Sequence, residues 1–315
     1  MRWYKGNFHC HSTNSDGNSP PAEVARFYRS VGMDFVSISD HNRLTTLAEY
    51  GDAIDDDVPG IPSCEYTGEQ SCHVLAVDVD DAVAPAGGQG GCAPREILQD
   101  GVDRIHAAGG VPVLCHPCWN WAWDHETLLK IDGANHFEVF NASPDCNSYP
   151  GFGRSCPEEI WDRALTAGRR IYGVATDDAH WHRGAEGAGR PPTHLMTGGL
   201  GWVVIRAEDN SRASLRAAFE AGHLYASTGV ELATHRVTRE SIEIEVASWS
   251  NEHAVIEFVG ADGALLASER GLSATYRFAG DELYVRARVA DTTGCYALTQ
   301  PVFLDNVDAS VAWTA

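Results

Sequence analysis

Short apolar runs, each closing on polar residues, recur from the start of the chain. Trp3, Tyr4 and Phe8 open it. Asp34 to Ser39, Ile61 to Cys64, Val74 to Val79, Val111 to Cys115, His136 to Phe140, Ile171 to Thr176 and Gly201 to Ile205 follow. Runs of this length bounded by Gly, Pro and polar residues predict buried strands. Between several of them the period changes to that of a helix. Ser19-Pro20-Pro21-Ala22-Glu23 combines a capping residue, prolines and an acidic first turn, and Val24, Phe27, Tyr28 and Val31 then share one face as far as Gly32. Pro94 to Ala108 repeats the pattern with Ile97, Leu98, Val102 and Ile105, and Gly109-Gly110 stops it. Asp124 to Lys130, Pro157 to Ala167 and Ser211 to Ala221 are the remaining helices. Repeated pairing of strand and helix over residues 1–228 predicts a barrel-like α/β domain.

Beyond Gly229 the pattern is that of strands alone. Ser241 to Val246, Ala254 to Phe258 and Leu283 to Val289 alternate with period two, separated by turns such as Ala261-Asp262-Gly263 and Gly280-Asp281. Residues 229–315 therefore predict a small antiparallel β-sandwich appendage with no cluster of candidate ligands.

What the strands of the first part deliver is chemically uniform. His9-Cys10-His11 follows the first run, and side chains two apart on an extended backbone point to one side, so both imidazoles can grip one cation. A lone His-x-His is as often just two polar residues at a strand end. This one is not alone. Asp16 sits in a Ser-Asp-Gly turn that can fold its carboxylate back, and later strands deliver Asp40-His41-Asn42, Glu65, His116-Pro117 and Asp177-Asp178-Ala179-His180, while His73 starts an apolar run. Imidazoles and carboxylates at successive strand ends of a barrel meet at one mouth, the usual place for catalytic groups. Such N/O ligands suit two or three divalent ions such as Zn, Mn or Fe.

The order His-x-His, Asp-Gly, Asp-His-Asn, Glu, His, His-Pro, Asp-x-His resembles the PHP (polymerase and histidinol phosphatase) superfamily over about residues 1–228. The resemblance implies a distorted (β/α)7 barrel and a metal-dependent phosphoesterase. It implies that His9, His11, Glu65 and Asp178 hold one metal, that Glu65 bridges to a second held by His73 and His116, and that Asp16, His41 and His180 hold a third. Many members of the family have His where this chain has Asp16. The Glu65-to-His73 step, the segment Ala221 to Gly229 and the β-rich tail look like the branch of PHP-type metallohydrolases that includes an aryl carbamate hydrolase.

Composition narrows the setting. A net charge of −21 disfavours nucleic acid and anionic membrane surfaces as partners. No apolar run approaches the roughly 18 residues of a membrane span. Nothing like an apolar signal stretch precedes His9, so cytoplasm is the expected compartment. Nine cysteines do not space as a disulfide framework. Cys10, Cys64, Cys72 and Cys115 each adjoin a candidate ligand, and strand alternation is expected to turn them into the packing.

Two loops complete the candidate site. Trp181 to Gly199 is rich in Gly and Pro and carries His182, Arg183, Arg190 and His194, a candidate lid and anion clamp or equally a solvated loop. Trp119, Trp121 and Trp123 follow the His116 strand, where aromatics stack on a leaving group or fill the rim. Arg43, Arg190 and His194 are the candidate substrate contacts; His9, His11, Glu65, Asp178 and His180 are the candidate catalytic set. A divalent ion lowers the pKa of a bound water from about 15.7 toward about 7. The expected reaction is hydrolysis of a small phosphomonoester or phosphodiester. Hydrolysis of a carboxylic or carbamic ester, an amidohydrolase barrel and a non-catalytic binding module are the alternatives. The amidohydrolase often needs a bridging lysine, and neither Lys5 nor Lys130 stands where it would serve.

Overall fold

The computed structural model describes residues 1–151, 153–182, 196–247 and 253–306. Strands β1 (Arg2–Asn7), β2 (Phe35–Val36), β3 (Ser63–Thr67), β4 (His73–Val77), β5 (Val111–Leu114), β6 (His136–Asn141) and β7 (Tyr172–Thr176) carry the site. Their pairing runs in chain order. β1 and β2 are parallel, isolated bridges at Val36–Gly60 and His41–Glu65 continue to the β3 stretch, and β3, β4 and β5 pair antiparallel in turn. β5, β6 and β7 are parallel, and a parallel bridge between Cys10 and Ala179 returns the pairing to the end of β1. One strand, β4, runs against the rest, and it is joined to β3 by a short connection with Thr67 opposite His73.

Helices α1 (Pro21–Ser30), α2 (Pro94–Ala107), α3 (His125–Leu128), α4 (Pro157–Thr166) and α5 (Arg212–Glu220) fall within two or three residues of the helices expected from periodicity. α1, α2 and α4 have proline in the first turn and carry an acidic residue there, which suits the unpaired N–H groups of that turn. Phe8, Phe35, Leu75, Val113, Val174, Val203 and Phe219 pack as one buried cluster. A second cluster joins β3, β4 and β6 to α2 and α4 through Tyr66, Val74, Ile97, Val102, Phe137 and Trp161.

β8 (Trp202–Ala207) lies antiparallel to β1, and β9 (Leu224–Ser227) antiparallel to β8. The tail contributes β10 (Leu232–Val237), β11 (Ser241–Val246), β12 (Ala254–Val259), β13 (Leu265–Arg270), β14 (Ser273–Arg277), β15 (Tyr284–Asp291), β16 (Tyr296–Thr299) and β17 (Val302–Phe303). β10, β11 and β14 form a three-stranded sheet. The others extend the first sheet, because β16 pairs with β9 and with β15, which in turn pairs with β12. One sheet of nine strands thus runs from β2 to β13 across residue 228. The fold is mixed α/β. Among the described residues no helix is long and apolar enough to cross a membrane.

Candidate metal centre

Most of the candidate ligands stand where a strand ends, or begins, on one side of this pairing order. His9 and His11 follow β1, and the chain then turns through Ser15-Asp16-Gly17. There the Gly17 N–H donates to the Ser12 carbonyl at 2.9 Å, and a Cβ at Gly17 would lie 2.3 Å from the His11 carbonyl oxygen, so only glycine fits. His41 follows β2, and Glu65 lies within β3. His73 is the first residue of β4, because a reversed strand presents its start where its neighbours present their ends. His116 follows β5, and Asp178 and His180 follow β7. His116 and Asp178 have left-handed backbones, with φ of 27° and 50°. Two non-glycine residues held there mark a site whose surroundings dictate the backbone.

Glu65 is the hub. Its Oε1 lies 2.9 Å from His73 Nδ1, 3.3 Å from His116 Nε2 and 3.3 Å from His9 Nε2, and its Oε2 lies 2.7 Å from His41 Nδ1 and 3.7 Å from His11 Nε2. Asp178 Oδ1 is 3.1 Å from His11 Nε2 and 3.3 Å from His9 Nε2. Asp16 is shared by His180 at 3.4 Å, His41 at 3.5 Å and His11 at 3.8 Å. All nine candidate ligands are brought together. His9, His11 and Glu65 are wholly buried, whereas Asp16 is exposed.

Ligand atoms within 4.8 Å of one another group as His11, Asp16, His41 and His180; as His9, His116 and Asp178; and as His41, Glu65 and His73. Within this cluster His9 Nε2 and His116 Nδ1 are buried with no hydrogen-bond partner, and Glu65 Oε2 meets His41 as an ion pair without hydrogen-bond geometry. Buried polar atoms left in this way are costly unless a further partner such as a cation is supplied. The residues fit two or more divalent ions.

Electrostatics point the same way. Burial alone would raise the pKa of Glu65, but His73, His9 and His41 outweigh it and hold the carboxyl well below its usual range. Burial would depress His9, yet Asp178, Glu138 and Glu65 hold it well above. His41 is pushed up to about 10, its burial overcome by Glu65 and Asp16. The carboxylates are thus ionised and crowded, and their field favours positive charge at the centre.

Sequence reasoning missed Glu138. It lies inside β6, fully buried, with Oε1 accepting from His9 Nδ1 at 2.6 Å and from the Thr176 hydroxyl at 2.6 Å. Its Oε2 accepts from the His116 backbone N–H at 2.7 Å and from Asn141 Nδ2 at 2.9 Å. The available signal was a carboxylate inside a buried parallel strand, between Phe137 and Val139, where an unpaired charge is prohibitive. Asp40 and Asp177, adjacent to ligands, are braces of the same kind. Asp40 accepts from Ser12, Ser15 and Thr45, and Asp177 accepts from the N–H groups of Gly199, Leu200 and Gly201 at 2.7 Å each.

Cys10, Cys64 and Cys72 turn into the packing as expected, donating to the carbonyls of Ser37, Val83 and Gln70. Cys115 is likewise buried, in the cluster with Val111 and Val113 that share its face of the strand, and its sulfur also lies within 4.8 Å of ligand atoms of His9 and Glu65.

Asp16, His41, Glu65, His73, His116, Asp178 and His180 line a cleft of about 220 Å³, together with Trp119, Asp145, Cys146 and Met196. Trp119 Nε1 donates to Asp145 at 3.1 Å. Trp121 is exposed and Trp123 is buried in the core, so the three tryptophans divide between cleft, surface and interior. Arg43 does not line the cleft; it is exposed and pairs with Glu49 at 3.3 Å. Arg183, Arg190 and His194 lie outside the described residues. His182 is buried against Phe27 and Tyr28, and burial together with His11 and His180 pushes its pKa down to about 3.

No protein-family model matches the chain, and no curated protein matches it in sequence. Solved structures do. A two-domain protein from Bacteroides vulgatus, described as containing a predicted PHP-like metal-dependent phosphoesterase, is similar over 92% of this chain and 91% of its own, with a TM-score of 0.51 and 14% identity. This chain therefore shares the fold of that two-domain protein. A protein from Bifidobacterium adolescentis, provisionally described as a metal-dependent phosphoesterase, matches 61% of this chain and 92% of its own at 19% identity and a TM-score of 0.39. An amidohydrolase from Chromobacterium violaceum matches 60% and 93% at 17% identity and a TM-score of 0.41.

Proposed function

We propose that this protein is a metal-dependent hydrolase of the PHP type that cleaves a small phosphomonoester or phosphodiester. The observation that carries the reading is the convergence of nine candidate ligand side chains, from stretches scattered over residues 9–180, into one cluster in which three buried polar atoms have no hydrogen-bond partner. On this reading the ring of strand pairings is a distorted (β/α)7 barrel over residues 1–228, and residues 229–315 are a β-sandwich appendage. His9, His11, Glu65 and Asp178 would hold one ion, Glu65, His73 and His116 a second, and Asp16, His41 and His180 a third, with Mn, Zn or Fe as the fitting metals. Bound ions supply an activated water near neutral pH and neutralise charge that develops on the ester. The chain's own part is to fix those ions through buried ligands and to admit substrate through the cleft beside Trp119. His180, half-buried beside exposed Asp16, would hold its ion on the solvent side of the cluster, its ring oriented by Nδ1 against the Asp178 carbonyl at 2.9 Å.

A second reading, hydrolysis of an uncharged carboxylic or carbamic ester, draws on one observation. Among the described residues the cleft is lined by Asp16 and Asp145 and by no arginine or lysine. Metal-reconstituted protein assayed on aryl phosphate monoesters, diesters, acetates and carbamates side by side separates the two. The phosphoesterase reading expects turnover of a phosphate ester with competitive inhibition by inorganic phosphate. Turnover confined to the neutral esters, with no inhibition by phosphate, would replace it with the second reading.

A further inference from the structure

We propose that Glu138 is a positioning residue that locks His9 in the tautomer able to ligate a metal and ties three ligands of the centre into one rigid unit. The inference rests on the reading of His9, His116 and Asp178 as ligands. It concerns a residue that touches neither substrate nor the clustered ligand atoms.

Every partner of Glu138 is a donor. Oε1 receives His9 Nδ1 and the Thr176 hydroxyl, each at 2.6 Å. Oε2 receives the His116 backbone N–H at 2.7 Å and Asn141 Nδ2 at 2.9 Å. A carboxylate has only acceptors, so the proton of neutral His9 must sit on Nδ1. That leaves the lone pair of Nε2 facing Asp178 and Glu65 at 3.3 Å, without a hydrogen-bond partner. This is the familiar carboxylate–histidine–metal arrangement, in which the outer carboxylate sets ring orientation and ligand basicity.

The same carboxylate reaches two more ligands. Through the His116 N–H it pins a residue whose backbone is held at φ 27°. Asn141 Nδ2, which donates to Glu138, also lies 3.2 Å from Asp178 Oδ2. One buried side chain therefore fixes the ring of His9, the backbone of His116 and, at one remove, the carboxylate of Asp178.

Glu138→Gln is the informative change, because an amide cannot satisfy four donors. If its NH2 faces His9, the ring must move its proton to Nε2 and loses the ligating lone pair. If the NH2 faces the other way, two N–H groups collide at His116. The expected result is a loss of about 10- to 100-fold in zinc affinity, measured by chelator competition. In the zinc-loaded protein with 15N-labelled histidine, His9 should show a protonated Nδ1 with a far-downfield, strongly hydrogen-bonded proton, and that signal should vanish or move upfield in Glu138→Gln. Thr176→Val removes one hydrogen bond from the same oxygen without placing a donor there, so it should keep the His9 signal; a role in packing alone would move both variants alike. Equal zinc affinity in Glu138→Gln, with an unchanged His9 signal, would overturn the inference while leaving the metal centre intact. Should Glu138→Gln not fold, a zinc-loaded parent lacking the Nδ1 proton on His9 would overturn it alone. A parent protein that takes up no zinc would instead overturn the functional reading, and this inference with it.

Discussion

Asp16 is the most exposed of the nine candidate ligands, with 55% of its side chain open to solvent, while the Glu65 side chain is fully buried. The two carboxylates therefore differ in what they can hold. Among the candidate ligands Asp16 meets His11, His41 and His180, so Asp16→Ala should lower total metal content by about one ion per chain and spare the ions gathered around Glu65. Elemental analysis giving the same count in parent and variant would rule out a separate site on Asp16. At this scale the sequence was most legible where a histidine or carboxylate closes an apolar run, as at His9, His11, His41, His116 and Asp178. It was least legible where a role depends on three-dimensional neighbours. Glu138 sits inside a strand, so no terminus draws attention to it, and three of its four partners come from three other stretches of the chain. Cys115 packs with Val111 and Val113 as alternation places it, but its nearness to His9 and Glu65 is a matter of three-dimensional neighbours and left no mark in the sequence. Arg43 follows a ligand closely in sequence, yet its guanidinium lies on Glu49.

At the scale of elements, the helices were legible because each has proline or a capping residue at its start and an apolar face. Direction of strands was not: nothing in Val74 to Val79 states that β4 runs against its neighbours, and only the short link from β3 enforces it. β9 and most tail strands outside the alternating runs went unforeseen for the same reason, since pairing across long separations leaves no local mark. The contact of β6 with α5 makes a prediction of its own. The His136 ring stacks on Phe219 with centroids 4.2 Å apart, and its Nε2 lies 2.9 Å from the Phe219 carbonyl. Burial pushes its pKa down from 6.5 to about 4, so between those values the unfolded chain binds the proton and the native chain does not. Stability from neutral His136 is then fully present above about pH 6.5 and is lost as pH falls toward about 4, a term on the order of 3 kcal/mol. In metal-free protein, urea unfolding at neutral and mildly acid pH should show a smaller acid loss for His136→Phe than for the parent, whatever the variant's absolute stability. Identical pH dependence in the two would assign the acid loss elsewhere.

Across the whole molecule, the tail does not hang from the first part by a linker. β16 pairs with β9, and fully buried Arg286 of β15 reaches Asp162 of α4 at 2.7–2.9 Å and Glu158 at 2.7 Å. The change of pattern at Gly229 was legible; the continuity of the sheet across it was not, because edge pairing is decided by which strand end is left open. An acidic chain of net charge −21 that gathers Glu65, Asp178, Asp16 and Glu138 in one place is arranged to take up cations. That is the central claim, and metal titration tests it most directly. Chelator-stripped protein is supplied with manganese or zinc one equivalent at a time, while metal uptake and hydrolysis of an aryl phosphate are followed together, in the parent and in Glu65→Gln. The account predicts no hydrolysis without metal, a rate that climbs with uptake and levels at two or three ions per chain, and neither full uptake nor turnover in Glu65→Gln. Hydrolysis by the stripped protein at the loaded rate, or full uptake and full rate in Glu65→Gln, would contradict it.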